Sequence, residues 1–315
     1  MTRRALAYAA AAIFLIAAAL VSALVGAASL NPLGTVAAML DKIPFVRLPS
    51  GLSPLDKAVL FQIRLPRIVL GAVVGGLLSV AGAGYQGVFR NPLVDSGMLG
   101  SSAGAGLGAT VAVVYFGGIG PSAVPVAAFA GSLAGVAVGL FLTAAQTYVL
   151  QRSTQVLQQV YAWLLGSLSG ASWQQVTEIL PYAAVSVLVI LAHGRHLDVL
   201  SVGDDEARAL GMNPVLVRAI IVAACALAAA SAVAVSGLIG FVGIVVPHVV
   251  RRFAGTSYRL VLPLSLLAGA GFLVLADTVA RTVLSPAELP IGVVTALAGS
   301  PAFVWILRAT RAVGT

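Results

Sequence analysis

Apolar runs long enough to cross a bilayer recur along the whole chain, and polar segments separate them. A transmembrane helix needs about 20 predominantly apolar residues. The runs predict spans at about 5–29, 64–88, 99–117, 122–149, 176–193, 216–236, 239–252, 260–284 and 290–308. This pattern predicts an all-α polytopic membrane protein with a single transmembrane domain over residues 1–315.

The composition supports an embedded chain rather than a soluble one. Hydrophobic residues make up 60% of the sequence and charged residues 9%, whereas about 25% of residues are charged in typical soluble domains. The net charge of +8 comes mainly from arginines, many of which flank the spans, as is typical of cytoplasmic ends. We therefore expect the lipid bilayer, and no nucleic acid, as a partner. With Arg3 and Arg4 inside, residues 31–57 are expected outside and Arg90 inside.

The segment Gly203–Asn213, with the sequence GDDEARALGMN, is an acidic island between long apolar runs. It carries Asp204, Asp205, Glu206 and Arg208 in a chain that is otherwise poor in charge. A charged surface held between two spans suggests docking to a soluble partner. The sequence contains no G-x-x-x-x-G-K-[ST] motif, the loop that cradles nucleotide phosphates. This chain therefore cannot bind and hydrolyse ATP by that route on its own.

Ionisable residues also occur at the predicted outer ends of two spans. Asp277 and Arg281 are four residues apart, which places them on one face of a helix. Charges inside a membrane usually face a bundle interior or a cavity, so this pair is either a structural ion pair or a pathway or docking site. Arg64 and Arg67 precede the second span. Their side chains either reach the lipid headgroups or dock an acidic surface.

Three further patterns have simple explanations. Gly82–Gly87 fits G-x-G-x-x-G but lies inside a predicted helix, without the preceding strand that a dinucleotide site requires. His193 and His196 have no third ligand near them in sequence, so no metal site is expected. Asn91 and Pro92 end the second span, and the break there forms either a simple loop or the lining of a passage.

Several long segments, in the same order and spacing, resemble the FecCD family of permeases, which belong to type II ABC importers for iron–siderophore, haem and cobalamin. The matching segments are RLPR at 64–67, Gln86 with FRNPLVDSGMLG at 89–100, WLLGSLSGASW at 163–173, GDDEARALGMN at 203–213, GLIGFVGIVVPHVVR at 237–251, LADTVAR at 275–281 and AELPIGVVTALAGSPAFVWIL at 287–307.

The resemblance implies a ten-helix permease fold that works as a homodimer, with a second copy of the chain across a central pathway. It also implies two ATP-binding cassette subunits on the cytoplasmic side and an extracytoplasmic substrate-binding protein on the other. No cofactor is expected on this chain, because ATP and Mg²⁺ would bind the partner ATPase.

The family pattern assigns three groups of residues. The ATPase coupling loop, about 197–215, would include Gly203, Asp204, Asp205, Glu206, Ala207, Arg208, Leu210, Gly211, Met212 and Asn213. Binding-protein docking would involve Arg64, Arg67 and Arg281. The pathway and its cytoplasmic constriction would involve Gln86, Asn91 and Leu93.

The chain departs from the family pattern between the third predicted span and WLLGSLSG. Family members have two helices where Pro125–Leu150 offers one continuous run, so one helix equivalent is shortened or missing around 135–140. With the spans counted as they stand, the acidic island would fall on the outer side, which conflicts with a cytoplasmic docking role.

The predicted function is alternating-access import of an iron chelate, a siderophore, across a bacterial inner membrane, without covalent chemistry on this chain. A cobalamin or haem importer is the alternative within the family. An ion-coupled secondary transporter that uses Asp277 is the alternative from another class, and a non-transporting remnant is a third possibility because of the missing segment.

Overall fold

The computed structural model describes residues 3–26, 28–44, 46–94, 111, 126–127, 130–131, 139–152 and 157–311. Within these residues, all regular secondary structure is helical. The helices are α1 (Arg3–Leu24), α2 (Pro32–Leu40), α3 (Pro54–Ala58), a π-helical turn (Val59–Arg64), α4 (Leu65–Phe89), α5 (Gly139–Arg152), α6 (Leu157–Leu164), α7 (Trp173–Ala192), α8 (Gly194–Val202), α9 (Asp204–Ala209), α10 (Pro214–Ser236), α11 (Val242–Ala254), α12 (Tyr258–Ala280) and α13 (Ile291–Arg311).

Five of the described helices are long and apolar enough to cross a membrane: Arg4–Leu24, Pro54–Phe89, Trp173–Ala192, Pro214–Ser236 and Tyr258–Ala280. They confirm five of the predicted spans and with them the all-α membrane fold. Helices α11 and α13 occupy the spans predicted at 239–252 and 290–308. The span predicted at 99–117, apart from residue 111, part of the one at 122–149 and residues 135–138 of the proposed missing segment lie outside the described residues.

Helix α4 forms the centre of the bundle, with α7, α10, α11 and α12 packed around it. Glycines permit the closest of these contacts. A Cβ atom at Gly75 would clash with the carbonyl oxygen of Gly269 in α12, and one at Gly82 would clash with that of Gly243 in α11. In lipid, such close packing replaces the hydrophobic drive for helix association. The G-x-G-x-x-G match therefore serves helix packing.

Helices α4 and α12 run antiparallel, so their ends define two sides of the bundle. Arg67 contacts Asp277 at one side, and Gly87 packs against Tyr258 at the other. The 25 residues of α4 separate these sides by about 38 Å at 1.5 Å per residue. We call them the Arg64 side and the Arg90 side.

The polar connection predicted at 31–57 contains two short helices that periodicity did not reveal. Asn31 caps α2 by accepting a hydrogen bond from the Gly34 amide at 3.1 Å. Ser53 and Asp56 form a reciprocal capping box at the start of α3. From α3 the helix continues through the π turn into α4. Pro66 has no amide hydrogen and therefore cannot donate an α-helical hydrogen bond. This missing bond is consistent with the π-helical turn that precedes it.

The direction of α7 resolves the conflict over the placement of the acidic island. The indole nitrogen of Trp173, at the start of α7, donates to the Phe61 carbonyl on the Arg64 side at 2.9 Å. Gly194, just past the end of α7, packs against Arg259 on the Arg90 side. The chain therefore passes from one side to the other between Arg90 and Trp173. The acidic island and Arg90 lie on the same side, as a shared cytoplasmic location requires.

Candidate functional site

The acidic island forms a compact helical projection on the Arg90 side. Asp204, Asp205 and Glu206 occupy the first turn of α9, where the positive end of the helix dipole stabilises negative charge. Gly203 separates α8 from α9 in an extended conformation, and the Glu206 carboxylate lies over its α-carbon.

The end of the acidic island is shaped by its own backbone hydrogen bonds. The Met212 amide donates to the Ala207 carbonyl at 3.0 Å, and the Gly211 amide donates to Arg208 at 2.9 Å. This is the Schellman pattern, in which the residue after the helix is left-handed, and Gly211 has φ 78°. Asn213 then caps α10 by accepting from the amides of Val215 and Leu216. These residues thus fix the shape of the projection.

Asp204 differs from its acidic neighbours because it faces inward. Its carboxylate accepts a hydrogen bond from Arg218 of α10 at 2.7 Å and another from Arg90 at the end of α4. The Arg218 guanidinium is the main cause of a lowered Asp204 pKa, about 2. Arg90 also donates to the Leu200 carbonyl in α8 at 2.7 Å. Asp204 and Arg90 therefore join the acidic island to α4, α8 and α10.

The outer surface of the acidic island combines negative charge with apolar side chains. The Asp205 side chain is 93% exposed even though it pairs with Arg208, and Glu206 is exposed as well. Leu210 is 72% exposed, as is Val215, at 70%, just after the acidic island in α10, whereas Ala207 is fully buried. Exposed apolar residues beside charged ones are typical of a protein-docking surface.

The residues predicted for the constriction follow directly after Arg90. Arg90 itself has φ 50° and ends α4. The Asn91 side chain accepts a hydrogen bond from the Leu93 amide at 3.0 Å. Gln86 is buried in α4 and donates to the Gly243 carbonyl of α11 at 2.9 Å. All three predicted residues line one cavity of about 630 Å³ on the Arg90 side.

On the Arg64 side, Arg67 lies between two carboxylates. It donates to both oxygens of Asp277, at 2.8–3.1 Å, and to both oxygens of Glu288, at 2.9 Å. Asp277 is almost fully buried, whereas the Glu288 side chain is 38% exposed. Arg281 lies 3.7 Å from Asp277. Arg64, Arg67, Asp277, Arg281 and Glu288 together form what we call the outer network.

Two arginines of the outer network hold the end of α1. Arg64 donates to the carbonyls of Ala23, at 2.6 Å, and Ala28. Arg281 donates to the carbonyl and the hydroxyl of Ser22. The last carbonyls of a helix have no partner within it, so these guanidinium groups satisfy acceptors that would otherwise be buried without a donor. Helix α1 ends at Leu24, five residues before the end of the span predicted at 5–29.

The structure thus places the three predicted docking arginines inside the protein. Arg64 and Arg281 are buried, and Arg67 is mostly enclosed by its two carboxylates. Their predicted contact with a binding protein stays a prediction. Sequence reasoning missed Arg218 and Glu288. Glu288 lies within a matching family segment, whereas no local pattern links Arg218 to Asp204.

The histidine pair is explained by local contacts. The Nδ1 atom of His193 lies 2.7 Å from the Val189 carbonyl, and the two imidazole centroids are 5.0 Å apart. Across the described residues, no group of three or more His, Cys, Asp or Glu side chains is placed to hold a metal ion.

Known proteins match this chain along most of its length. The sequence model of the FecCD transport family matches residues 14–134 and 132–309. These two matches meet next to the position where a family segment is expected to be missing. An uncharacterised ABC transporter permease, YvrB of Bacillus subtilis, is 41% identical over 81% of this chain and 80% of its own. The cobalamin import permease BtuC of Halobacterium salinarum is 38% identical over 82% of this chain and 75% of its own.

Another relative and a solved structure agree with these matches. The vitamin B12 import permease BtuC of Escherichia coli is 39% identical over 81% of this chain and 85% of its own. The solved structure is an inward-facing conformation of a candidate metal-chelate type ABC transporter. It superposes with a TM-score of 0.82 at 28% identity and covers 98% of this chain and 99% of that one. This chain therefore belongs to the FecCD transport family and is a multi-pass permease subunit of a type II ABC importer in the bacterial inner membrane.

Proposed function

We propose that the subunit imports a bulky metal-containing chelate, with cobalamin as the first candidate and an iron–siderophore as the second. The observation that supports cobalamin is the identity of 38–39% to permeases named for cobalamin or vitamin B12 import in two organisms. The siderophore rests on the family resemblance and on the metal-chelate type of the solved relative. Haem is a third candidate of the same chemical class.

The proposed assembly contains a second copy of the chain, two ATP-binding cassette subunits and an extracytoplasmic substrate-binding protein. ATP and Mg²⁺ would be bound by the ATPase, so this chain would contribute no catalytic residue and no cofactor. The exposed acidic and apolar surface of the acidic island supports an ATPase docking role. Its sequence, GDDEARALGMN, matches the family's coupling loop.

The contacts on the Arg90 side suggest how a movement of the docked ATPase is transmitted to the constriction. A force applied to α9 would act on Asp204, which holds Arg90 directly. Arg90 immediately precedes Asn91 and Leu93, the predicted constriction residues. We propose that this ion pair transmits movement of the ATPase to the constriction. Glu206 and Asp205 would face the ATPase, and Asp204 would face the membrane domain.

The contacts of Asp277 favour the importer over an ion-coupled secondary transporter. A carboxylate that carries a proton or an ion must exchange it with solvent during each cycle. Asp277 is instead almost fully buried and held by Arg67, with Arg281 nearby. This geometry supports a structural role for Asp277 in the outer network.

The direct test is reconstitution of the subunit in liposomes with an ATP-binding cassette subunit and a substrate-binding protein that co-purify with it. Uptake of radiolabelled cobalamin, a ferric hydroxamate siderophore and haemin is measured with ATP and with a non-hydrolysable analogue. We expect ATP-dependent uptake of cobalamin above the other two. Uptake of the siderophore alone would replace the first candidate with the second. Uptake driven by an ion gradient without ATP would favour the secondary transporter, and no uptake from an intact complex would favour the remnant.

A further inference from the structure

Helix α8, which immediately precedes the acidic island, is attached to the start of α12 by one half-buried carboxylate. Asp198 accepts a hydrogen bond from the Tyr258 amide at 2.6 Å and another from the Ser257 hydroxyl at 2.8 Å. The first amides of a helix have no acceptor within it, and a negative charge beside them is stabilised by the helix dipole. Ser257 is the N-cap residue of α12, but its hydroxyl donates to Asp198 instead of accepting from the helix. Asp198 therefore caps α12 from a helix 60 residues earlier in the chain.

Close packing joins α8 to α4 and α12 at the same place. Leu197 and Leu200 of α8 are fully buried. A Cβ atom at Gly87 of α4 would lie 2.8 Å from the Leu197 side chain and 2.9 Å from the Tyr258 ring, so the three helices meet there. The carboxylate cap and this packing together fix α8 relative to the first turn of α12.

Helix α9, which carries the exposed acids, is attached to other parts of the bundle. Asp204 at its start binds Arg218 of α10 and Arg90 of α4. Arg90 also donates to the Leu200 carbonyl of α8 at 2.7 Å, a contact with a neutral acceptor that is weaker than an ion pair. Gly203 alone separates α8 from α9, in an extended conformation. Because glycine has more accessible backbone conformations than other residues, rotation at Gly203 lets α9 move with Arg90 while α8 stays with α12.

The two attachments lead to different parts of the lining of one cavity. Asn91 and Leu93, which follow Arg90, line the cavity of about 630 Å³ together with Tyr258. One part of the lining is thus connected to α9 through Arg90, and another part is connected to α8 through Asp198. A movement of α9 alone would displace the first part relative to the second. A movement of α8 and α9 together would displace both parts and change the cavity less.

We propose that Asp198 is a positioning residue that holds α8 to α12, so that a movement of the docked ATPase turns α9 about Gly203. Arg90 and the residues after it then move relative to Tyr258, which α8 keeps in place. Tyr258 is thereby assigned to the part of the constriction that stays fixed during transport. The inference rests on the proposed function, because it takes the acidic island as the site of ATPase docking. The attachment of α8 belongs to the isolated subunit and is measurable without substrate.

Asp198→Asn tests the positioning role in the reconstituted complex. The substitution keeps the size of the side chain and one acceptor oxygen but removes the charge. We expect unchanged retention of the ATP-binding cassette subunit and several-fold less uptake of radiolabelled cobalamin per ATP hydrolysed, with Asp198→Glu restoring part of the loss. Asp56→Asn is the matched control, because Asp56 also accepts from an amide at the start of a helix, on the Arg64 side. Lower thermal stability of Asp198→Asn with an unchanged ratio of uptake to hydrolysis would show a merely structural role and overturn the proposal.

Hydrogen–deuterium exchange of the purified full-length subunit tests the attachment without substrate. The Tyr258 amide should exchange several-fold faster in Asp198→Asn than in the wild type, and at the wild-type rate in Asp56→Asn. On addition of the ATP-binding cassette subunit with a non-hydrolysable ATP analogue, exchange in the wild type should change over residues 89–94 and 203–213 and stay constant over 257–262. Equal changes in all of these segments would show that α8 and α9 move together, and the proposal would be wrong.

The two proposals fail on different results. Absence of cobalamin uptake by the wild-type complex would count against the proposed substrate, and the exchange comparison would still decide the role of Asp198. If Asp198→Asn does not fold, Ser257→Ala removes one of the two hydrogen bonds to Asp198 and should change exchange and coupling in the same direction by a smaller amount. Wild-type exchange and coupling in Ser257→Ala would then count against the positioning role.

Discussion

Two charged clusters lie at opposite sides of the bundle, joined by α4, and they differ in how their charges are neutralised. In the outer network, buried guanidinium groups pair with Asp277 or donate to the last carbonyls of α1. In the acidic island, Asp204 is paired inward while Asp205 and Glu206 remain exposed. Buried charges must be paired within the protein, whereas exposed ones remain available to a partner. The comparison indicates that the outer network stabilises the fold, whereas the exposed acids of the acidic island are available to bind a partner.

The largest expected effect comes from breaking the outer network. Asp277→Asn would leave Arg67 and Arg281 without their buried counter-charge, and removal of one partner of a buried pair typically costs about 3–5 kcal/mol. We expect a clear loss of thermal stability, measured by unfolding of the purified permease in detergent. Glu288→Gln is the matched control, because its carboxylate is partly exposed and should contribute about 0–1 kcal/mol. Equal stability of the two variants would show that the outer network is not structural.

The predicted docking role of the outer arginines can be separated from this structural role. Arg67→Glu would confront Asp277 and Glu288 and destabilise the fold, so it cannot report docking alone. Glu288→Gln, which should leave the stability almost unchanged, should instead alter binding-protein affinity without placing a like charge beside Arg67. Because salt screens exposed charges, the difference in affinity between this variant and the wild type should be larger at low salt than at high salt. An unchanged affinity at both salt concentrations would indicate that the binding protein does not contact this region.

On the opposite side, charge reversal of the exposed acids should release the ATPase. Replacement of Asp205 and Glu206 by Lys removes charges that face outward, and loss of desolvated interfacial charge pairs typically costs about 2–5 kcal/mol. We expect much weaker co-purification of the ATPase and no change in permease unfolding. Lys substitution of the exposed Arg195, which precedes the coupling loop, retains the positive charge and serves as the control. Unchanged ATPase retention in the double reversal would exclude these acids from the interface.

Asp204 should behave differently from both of its neighbours. Asp204→Asn removes the charge that holds Arg90 and Arg218, so we expect the ATPase to stay bound while ATP hydrolysis yields several-fold less uptake. Because the pKa of Asp204 is lowered to about 2, its carboxylate stays charged between pH 5 and 8. Its stabilising contribution is present above the unfolded-state pKa, near 3.9, and is lost as pH falls from about 4 through 2.

The pH profile gives Asp204 a second readout. In the wild type, titration of Asp204 should not change the ratio of uptake to ATP hydrolysis across the neutral pH range. In Asp204→Asn, the same ratio should be low at every pH in that range. Loss of ATPase binding in Asp204→Asn would instead place this residue at the interface with Asp205 and Glu206. The inward pairing would then not be what sets Asp204 apart.

The sequence predicts those features of the molecule that depend on residues close together in the chain, and it does not predict those that depend on distant residues. The apolar runs predicted the described membrane helices because helix formation in lipid depends on local composition. They did not predict α2 and α3, whose caps at Asn31 and Ser53 lie within a polar segment. The acidic island was evident from its charge. Its inward contact was not, because Asp204 meets Arg90 across 114 residues of chain, and no periodicity encodes such a pair.

The smallest expected effect lies in the backbone that shapes the acidic island. Gly211 has φ 78°, a left-handed conformation that costs a residue with a Cβ atom about 1–2 kcal/mol. Gly211→Ala should therefore loosen the Schellman turn and weaken ATPase binding by a few-fold without altering the unfolding of the bundle. Gly211→Asn is the control, because Asn tolerates this conformation better. If Ala and Asn weaken docking equally, the glycine is needed for a close approach of the ATPase rather than for its backbone angle. Open space around its α-carbon in the isolated subunit leaves room for that approach.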